Sequence, residues 1–160
     1  MKPKELLKIH PQKKTLTVMG VHFDLNKKPP EKMLIRQAQS DAQKMVREYQ
    51  LKTLLWLFFS LLGIFLSLYF KEYYGLFIAI PCVYASFICC DYSVQMQHAN
   101  GLCALLSERK GPIPSLISNE IIKNSLLQDY FFNINERQPV FAEERLFLMK
   151  IQEEKNEICS

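Results

Sequence analysis

Charge is missing from the middle of this sequence. Residues 53–70 and 73–90 are two 18-residue stretches without Asp, Glu, Lys or Arg, separated only by Lys71 and Glu72. A soluble domain usually interrupts its core helices with a charge, and a chain of 160 residues leaves little protein to bury two such helices completely. An ordinary soluble bundle is thereby disfavoured. A proton or ion carrier acting alone is disfavoured as well, because transport needs an ionisable group at mid-depth, and the mid-depth residues here are Ser60, Gly63, Cys82 and Ser86.

Other shortages exclude other chemistry. Five glycines form no phosphate-cradling loop. His10, His22 and His98 are scattered, and none has a second ligand at metal spacing. No Ser, Cys or Asp is tied by spacing to a base, so neither a catalytic residue, a cofactor site nor a metal site is expected. The poor candidates for a membrane enzyme are Asp91, Ser93, His98 and Asn100. Cys82, Cys89, Cys90, Cys103 and Cys159 supply no disulfide framework. They read as small apolar residues, with S-acylation of Cys89 and Cys90 as the functional alternative. No apolar run of signal-peptide length follows the first methionine.

What is present fits a membrane hairpin. At 1.5 Å per residue each charge-free stretch spans about 27 Å as a helix, close to the thickness of bilayer hydrocarbon. Two polar residues cannot carry the chain back across, so the stretches form an antiparallel pair with both termini on one side. Arg36, Lys44, Arg47 and Lys52 precede the first span, whereas the tip offers only Lys71. That bias puts the termini in the cytoplasm, and a bacterial inner membrane is the expected location. Residues 1–52 hold twelve basic and five acidic residues, a net of +7, while residues 91–160 hold seven and ten, a net of −3. The basic arm suits anionic headgroups better than nucleic acid, because stacking aromatics are not interleaved with its lysines.

The sequence divides into a basic arm (1–30), a helical hairpin (31–110) and a C-terminal segment (111–160). In the arm, Leu6, Leu7 and Ile9 suggest a helical turn ended by Pro11, and residues 15–25 read as a strand or hairpin bent at Gly20. Pro29 and Pro30 open a continuous helix over 31–70. A second helix runs over 73–110, where Gly111, Pro112 and Pro114 stop it. Small residues recur along it at steps of four and three. They define a packing seam of Gly75, Ala79, Cys82, Ser86 and Cys89 against Ser60, Gly63 and Ser67. Antiparallel register about the tip pairs Ser60 with Cys82 and Trp56 with Ser86, and the same spacing predicts a coiled coil beyond the membrane. Pro81 frees the Phe77 carbonyl for a hydroxyl such as that of Ser60. Trp56 and Tyr92 near the cytoplasm, with Tyr69, Tyr73 and Tyr74 at the tip, mark the interfaces.

Two further helices are expected in the C-terminal segment. One is capped at Ser115 or Ser118 and runs to Phe132; the other covers 140–157 with Phe141, Arg145, Leu148, Met149 and Gln152 on one side. The fold class is thus an all-α two-span hairpin extended into a cytoplasmic coiled coil, with a short β element and C-terminal helices. Such a protein is expected to be a non-catalytic structural or adaptor subunit of a membrane complex, with secretion or conjugation machinery among the hosts. Its partners would be other subunits or itself, together with lipid. The competing class is an oligomeric pore former of the holin kind, or a toxin-immunity protein.

Overall fold

The computed structural model describes residues 3–10, 15–69, 74–134 and 137–158. A 3-10 turn over Pro3–Leu6 leads into β1 (Leu7–His10), β2 (Thr15–Val18) and β3 (Val21–Asp24), an antiparallel sheet in the order β1-β2-β3. Five helices follow: α1 (Lys32–Tyr69), α2 (Tyr74–Leu105), α3 (Ser115–Lys123), α4 (Ser125–Phe132) and α5 (Phe141–Ile158). The chain is mostly helical, with a three-stranded sheet added. Its contacts divide it into two units, residues 1–42 with 101–160, and residues 43–100.

The sheet differs from expectation at its first strand. Leu7 and Ile9 lie in β1, paired with Val18 and Leu16, instead of in a helical turn. Alternation explains why: Leu16, Val18, Val21 and Phe23 all turn inward, and an apolar hairpin face gains from a third strand. The bend at Gly20 is a two-residue turn, since Val18 pairs with Val21. Met19 and Gly20 have φ of 52° and 82°, the left-handed pair that matches strand twist. Across the hairpin, Thr17 Oγ1 and His22 Nδ1 share a 2.8 Å hydrogen bond.

In the first unit the sheet packs with α3, α4 and α5 around one core. Leu16, Phe23, Ile117, Leu127, Leu146 and Phe147 are fully or almost fully buried, joined by Ile35 and Ala38 of α1 and by Leu102 and Leu106. Three expectations about the C-terminal half are corrected here. First, α2 stops at Leu105, not near Lys110. Residues 107–109 pair instead with 139–141, through Arg109 N–H to the Pro139 carbonyl and Phe141 N–H to the Ser107 carbonyl, both 3.2 Å. Second, the helix expected to run unbroken to Phe132 divides at Asn124. Its extended backbone ends α3, and its side chain accepts from Leu126 and Leu127 N–H to cap α4. At the start of α3 the N-cap position is Pro114, and no side chain caps it.

Third, α5 buries a different face. Ala142, Glu143, Glu144, Leu146, Phe147 and Ile151 point inward, whereas Phe141, Arg145, Leu148 and Gln152 are exposed. The inward face looks polar in sequence because two carboxylates lie on it. Both are neutralised by arginines, which makes burial tolerable.

Within the second unit, α1 and α2 continue as long apolar helices. Each is long and apolar enough to cross a membrane. Only 11% of either apolar stretch is buried within the chain.

Candidate functional site

The features that carry a functional reading are the apolar helix pair and an ionic cluster that locks the first unit. In the helix pair, glycine and small polar side chains make the close contacts. Gly63 lies against Cys82: a Cβ added to this glycine would overlap the Cys82 sulfur and lie 3.3 Å from the Cys82 Cβ. One turn away, the hydroxyls of Ser60 and Ser86 share a 2.7 Å hydrogen bond, and Ser86 Oγ also donates to the Cys82 carbonyl at 3.0 Å. Cys82 Sγ donates to the Ile78 carbonyl at 2.8 Å, and Cys89 Sγ to the Thr53 carbonyl at 3.6 Å. Each of these hydroxyls and thiols thus has a hydrogen-bond partner within the helix pair.

The observed pairing differs from the register read from sequence. Ser60 meets Ser86 rather than Cys82, Gly63 meets Cys82 rather than Ala79, and Ser60 does not reach the Phe77 carbonyl. A slide of about one turn brings the smallest residue, Gly63, opposite the polarizable sulfur and lets two hydroxyls bond. Ala79 and Ser67 are half-buried. The side chain of Tyr74 and the surroundings of Gly75 lie outside the described residues, as does Tyr73 with the rest of the tip.

Aromatic rings gather where charge resumes. Tyr49 and Tyr92 lie 6.1 Å apart between centroids, and Lys52 Nζ stands 5.7 and 5.6 Å from the two rings. Glu48 binds the same ammonium one turn away. The hydrogen bond and charge of Lys52 hold the Glu48 carboxyl below its ordinary range, while the Glu48 bond raises Lys52. Trp56 is half-buried with its ring 6.2 Å from Phe59, and Tyr69 is exposed at the end of α1. Sequence singled out Tyr92 and Trp56 but missed Lys52 as the cation between two tyrosines. Its signal is the i, i+3 spacing of Tyr49 and Lys52.

In the first unit, Arg137 and Glu143 form a buried fork. Nη2 donates to Oε1 at 2.6 Å and Nη1 to Oε2 at 2.7 Å, with side chains 3% and 0% exposed. The remaining capacity of Glu143 is filled by Tyr130 Oη–H at 3.2 Å and Val140 N–H at 3.0 Å. Arg137 also donates to the Pro30 carbonyl at 3.4 Å, tying the segment before α1 to the C-terminal helices. Burial, and then the neighbouring Glu143 charge, push the Tyr130 hydroxyl well above the ordinary tyrosine range. Burial works against the Arg137 charge, but the hydrogen bond and charge of Glu143 prevail and raise it. A second pair, Arg109 with Glu144, has contacts of 2.9 and 2.7 Å. This network is structural in geometry: its groups satisfy one another and none is left free to react.

Two open clefts of about 430 and 270 Å³ border this cluster and share Lys28 and Asn133 as lining residues. Among the described residues, no three His, Cys, Asp or Glu side chains are grouped to hold a metal ion. His98 and Cys103 lie on α2, where the sequence reading puts them on different faces. Comparison with family models, with curated proteins and with solved structures finds no match.

Proposed function

We propose that this protein is a two-span membrane anchor that carries a folded docking unit, and that it serves as a non-catalytic subunit of a membrane assembly. The observation that carries the reading is a band of exposed apolar side chains on the two long helices. From Leu51 to Tyr69 on α1 and from Phe77 to Val94 on α2, eighteen large apolar residues are exposed. Fully covering one such side chain is worth about 1.5–3 kcal/mol, so even at half that value the band represents roughly 15–25 kcal/mol. Leaving it in water would forfeit more than the 5–15 kcal/mol or so by which domains are stable. Lipid of matching thickness is the surrounding that removes the deficit, since each edge of the band lies about 27 Å from the other.

Orientation follows from Arg36, Lys44, Arg47 and Lys52 on the approach to the first span, which favours both termini in the cytoplasm. The Tyr49–Lys52–Tyr92 group then lies at headgroup level, where amphipathic rings and a cation are both solvated. At mid-depth the Ser60 and Ser86 hydroxyls bond across the helices and Cys82 bonds within α2, which supports a packing role over a conducting path. The first unit, held by its ionic fork, is the rigid body presented for docking.

Flotation tests the reading. Full-length protein mixed with phospholipid vesicles during refolding is expected to rise with them through a density gradient and to resist carbonate extraction. Protease added outside sealed, right-side-out cells should spare both tails. Protein left at the bottom of the gradient, or tails cut from opposite faces, would overturn it.

A further inference from the structure

One face of α2 carries polar groups that lipid cannot satisfy. Tyr84 is 67% exposed, and its hydroxyl has no hydrogen-bond partner among the described residues. It stands about 10 Å along the helix from Phe77 on one side and from Asp91 on the other, farther than a tyrosine ring extends along the axis, so its hydroxyl does not reach water at either edge. At 100° per residue, Tyr84 points about 160° away from both Cys82 and Ser86, so it faces outward from the helix pair. A hydroxyl left bare in hydrocarbon loses the hydrogen bonds it has in water and gains none in return.

An acceptor lies on the same face. Pro81 interrupts α2 and has no N–H to give to the carbonyl of Phe77, four residues earlier. Pro81 is exposed and Phe77 is 77% exposed, so this carbonyl opens on the outer surface. Phe77, Pro81 and Tyr84 fall within about 60° of one another around the axis. Side chains on a helix lean toward its N-terminus, whereas carbonyls point toward its C-terminus. The Tyr84 hydroxyl and the Phe77 carbonyl therefore approach the same turn from opposite directions, one as donor and one as acceptor.

We propose that the α2 face carrying Phe77, Pro81 and Tyr84 is a self-association surface, on which a second copy of this chain packs inside the bilayer. The inference rests on the membrane reading above. The choice of occupant comes from complementarity of partial charge. Two copies inserted the same way have parallel α2 helices, and a two-fold axis along the membrane normal places donor against acceptor twice. Each Tyr84 hydroxyl donates to Phe77 of the other copy, and both orphaned carbonyls gain a partner. A bare lipid tail supplies neither group. Asp91 lies toward the same side but about 10 Å beyond Tyr84, where helices crossing at Pro81 have diverged and the carboxylates meet the aqueous edge.

The test uses donor- and acceptor-labelled full-length chains in vesicles of phosphatidylcholine and phosphatidylglycerol, with energy transfer followed as lipid is diluted into the sample. Wild-type chains are expected to associate reversibly. Tyr84→Phe deletes only the hydroxyl and should weaken association about three- to tenfold, in the range of two interhelical hydrogen bonds. Pro81→Ala restores an N–H for the Phe77 carbonyl and should weaken it likewise, whereas Phe65→Leu on α1 should leave it unchanged. A chain that floats with the vesicles yet stays monomeric overturns the pairing alone. Association that ignores both α2 substitutions overturns this face as its site. Recovery in mild detergent as one copy bound to a different membrane protein does the same. A chain that fails to float removes the bilayer reading and the pairing together.

Discussion

Gly63 sits so close to Cys82 across the two apolar helices that one added carbon would overlap the sulfur. No flexible chain end is available there to move aside, because Cys82 Sγ is itself engaged with the Ile78 carbonyl. Gly63→Leu is expected to force the helices apart, at about 1–3 kcal/mol, the usual range for overpacking. Thermal melts followed by circular dichroism in detergent should show a lower Tm. An unchanged melt would mean that the helices do not meet at this point.

Ser60→Ala leaves the Ser86 hydroxyl with its intrahelical acceptor, the Cys82 carbonyl, so the loss is one interhelical bond. Such bonds average about 0.6 kcal/mol in membrane proteins. The double variant Ser60→Ala with Ser86→Ala should therefore lose scarcely more than the sum of the singles less that coupling. A double-mutant cycle in mild detergent measures it directly.

The buried fork predicts an asymmetry. Arg137→Ala strands the Glu143 carboxylate at 0% exposure and should destabilise the first unit by about 3–5 kcal/mol. Combining Arg137→Met with Glu143→Leu removes both charges and should recover much of that loss. Denaturant titration of the full chain distinguishes the two. If the double variant were no better than the single, the penalty would come from lost packing instead of an unpaired charge.

Tyr130 gives the pH dependence. Its folded pKa is raised above the ordinary value of 10.0, so its contribution is complete below about pH 10 and is lost as pH climbs beyond that point. Stability should therefore begin to fall above about pH 10, and Tyr130→Phe should flatten that fall. The same substitution costs about 1.5–3 kcal/mol at neutral pH, because a hydrogen bond to a charged acceptor disappears. A melt recorded from pH 7 to 11 for both proteins reads both effects.

Met19 is a point of backbone strain. It holds φ of 52° at the first position of the β2–β3 turn, where a side chain without polar backbone contacts is disfavoured. Met19→Asn suits that conformation and should raise stability by about 0.5–1 kcal/mol. A rise in Tm without any change in far-ultraviolet circular dichroism would be the signature.

Much of the fold was legible in the chain itself. Pro29 and Pro30, the long interval without glycine or proline, and the charge-free stretches set α1 within a residue or so of its observed limits, Lys32 and Tyr69. Of the seam residues, Ser60, Gly63, Cys82 and Ser86 were singled out by size and spacing, and these four make close contacts. Their register was misjudged, because small residues at 3–4 spacing fit several alignments about equally, and only the sulfur–glycine fit and the serine pair choose among them. Tyr84 escaped notice since a tyrosine among apolar residues reads as ordinary interface character. Its lack of a partner among the described residues is a fact of three dimensions.

Local chemistry and composition alone determined which stretches are apolar, where prolines and glycines interrupt them, and how long each helix can run, because these depend on neighbours a few residues apart. Tertiary structure decided the third strand, the early end of α2 at Leu105 and the inward face of α5. Each of those outcomes depends on a partner outside the element concerned: Val18 for Leu7, Pro139 for Arg109, Arg137 and Tyr130 for Glu143. The break at Asn124 rests instead on a local cap that size and spacing did not reveal. A buried carboxylate reads as a surface residue until the guanidinium that neutralises it is in place, and only folding brings the two together.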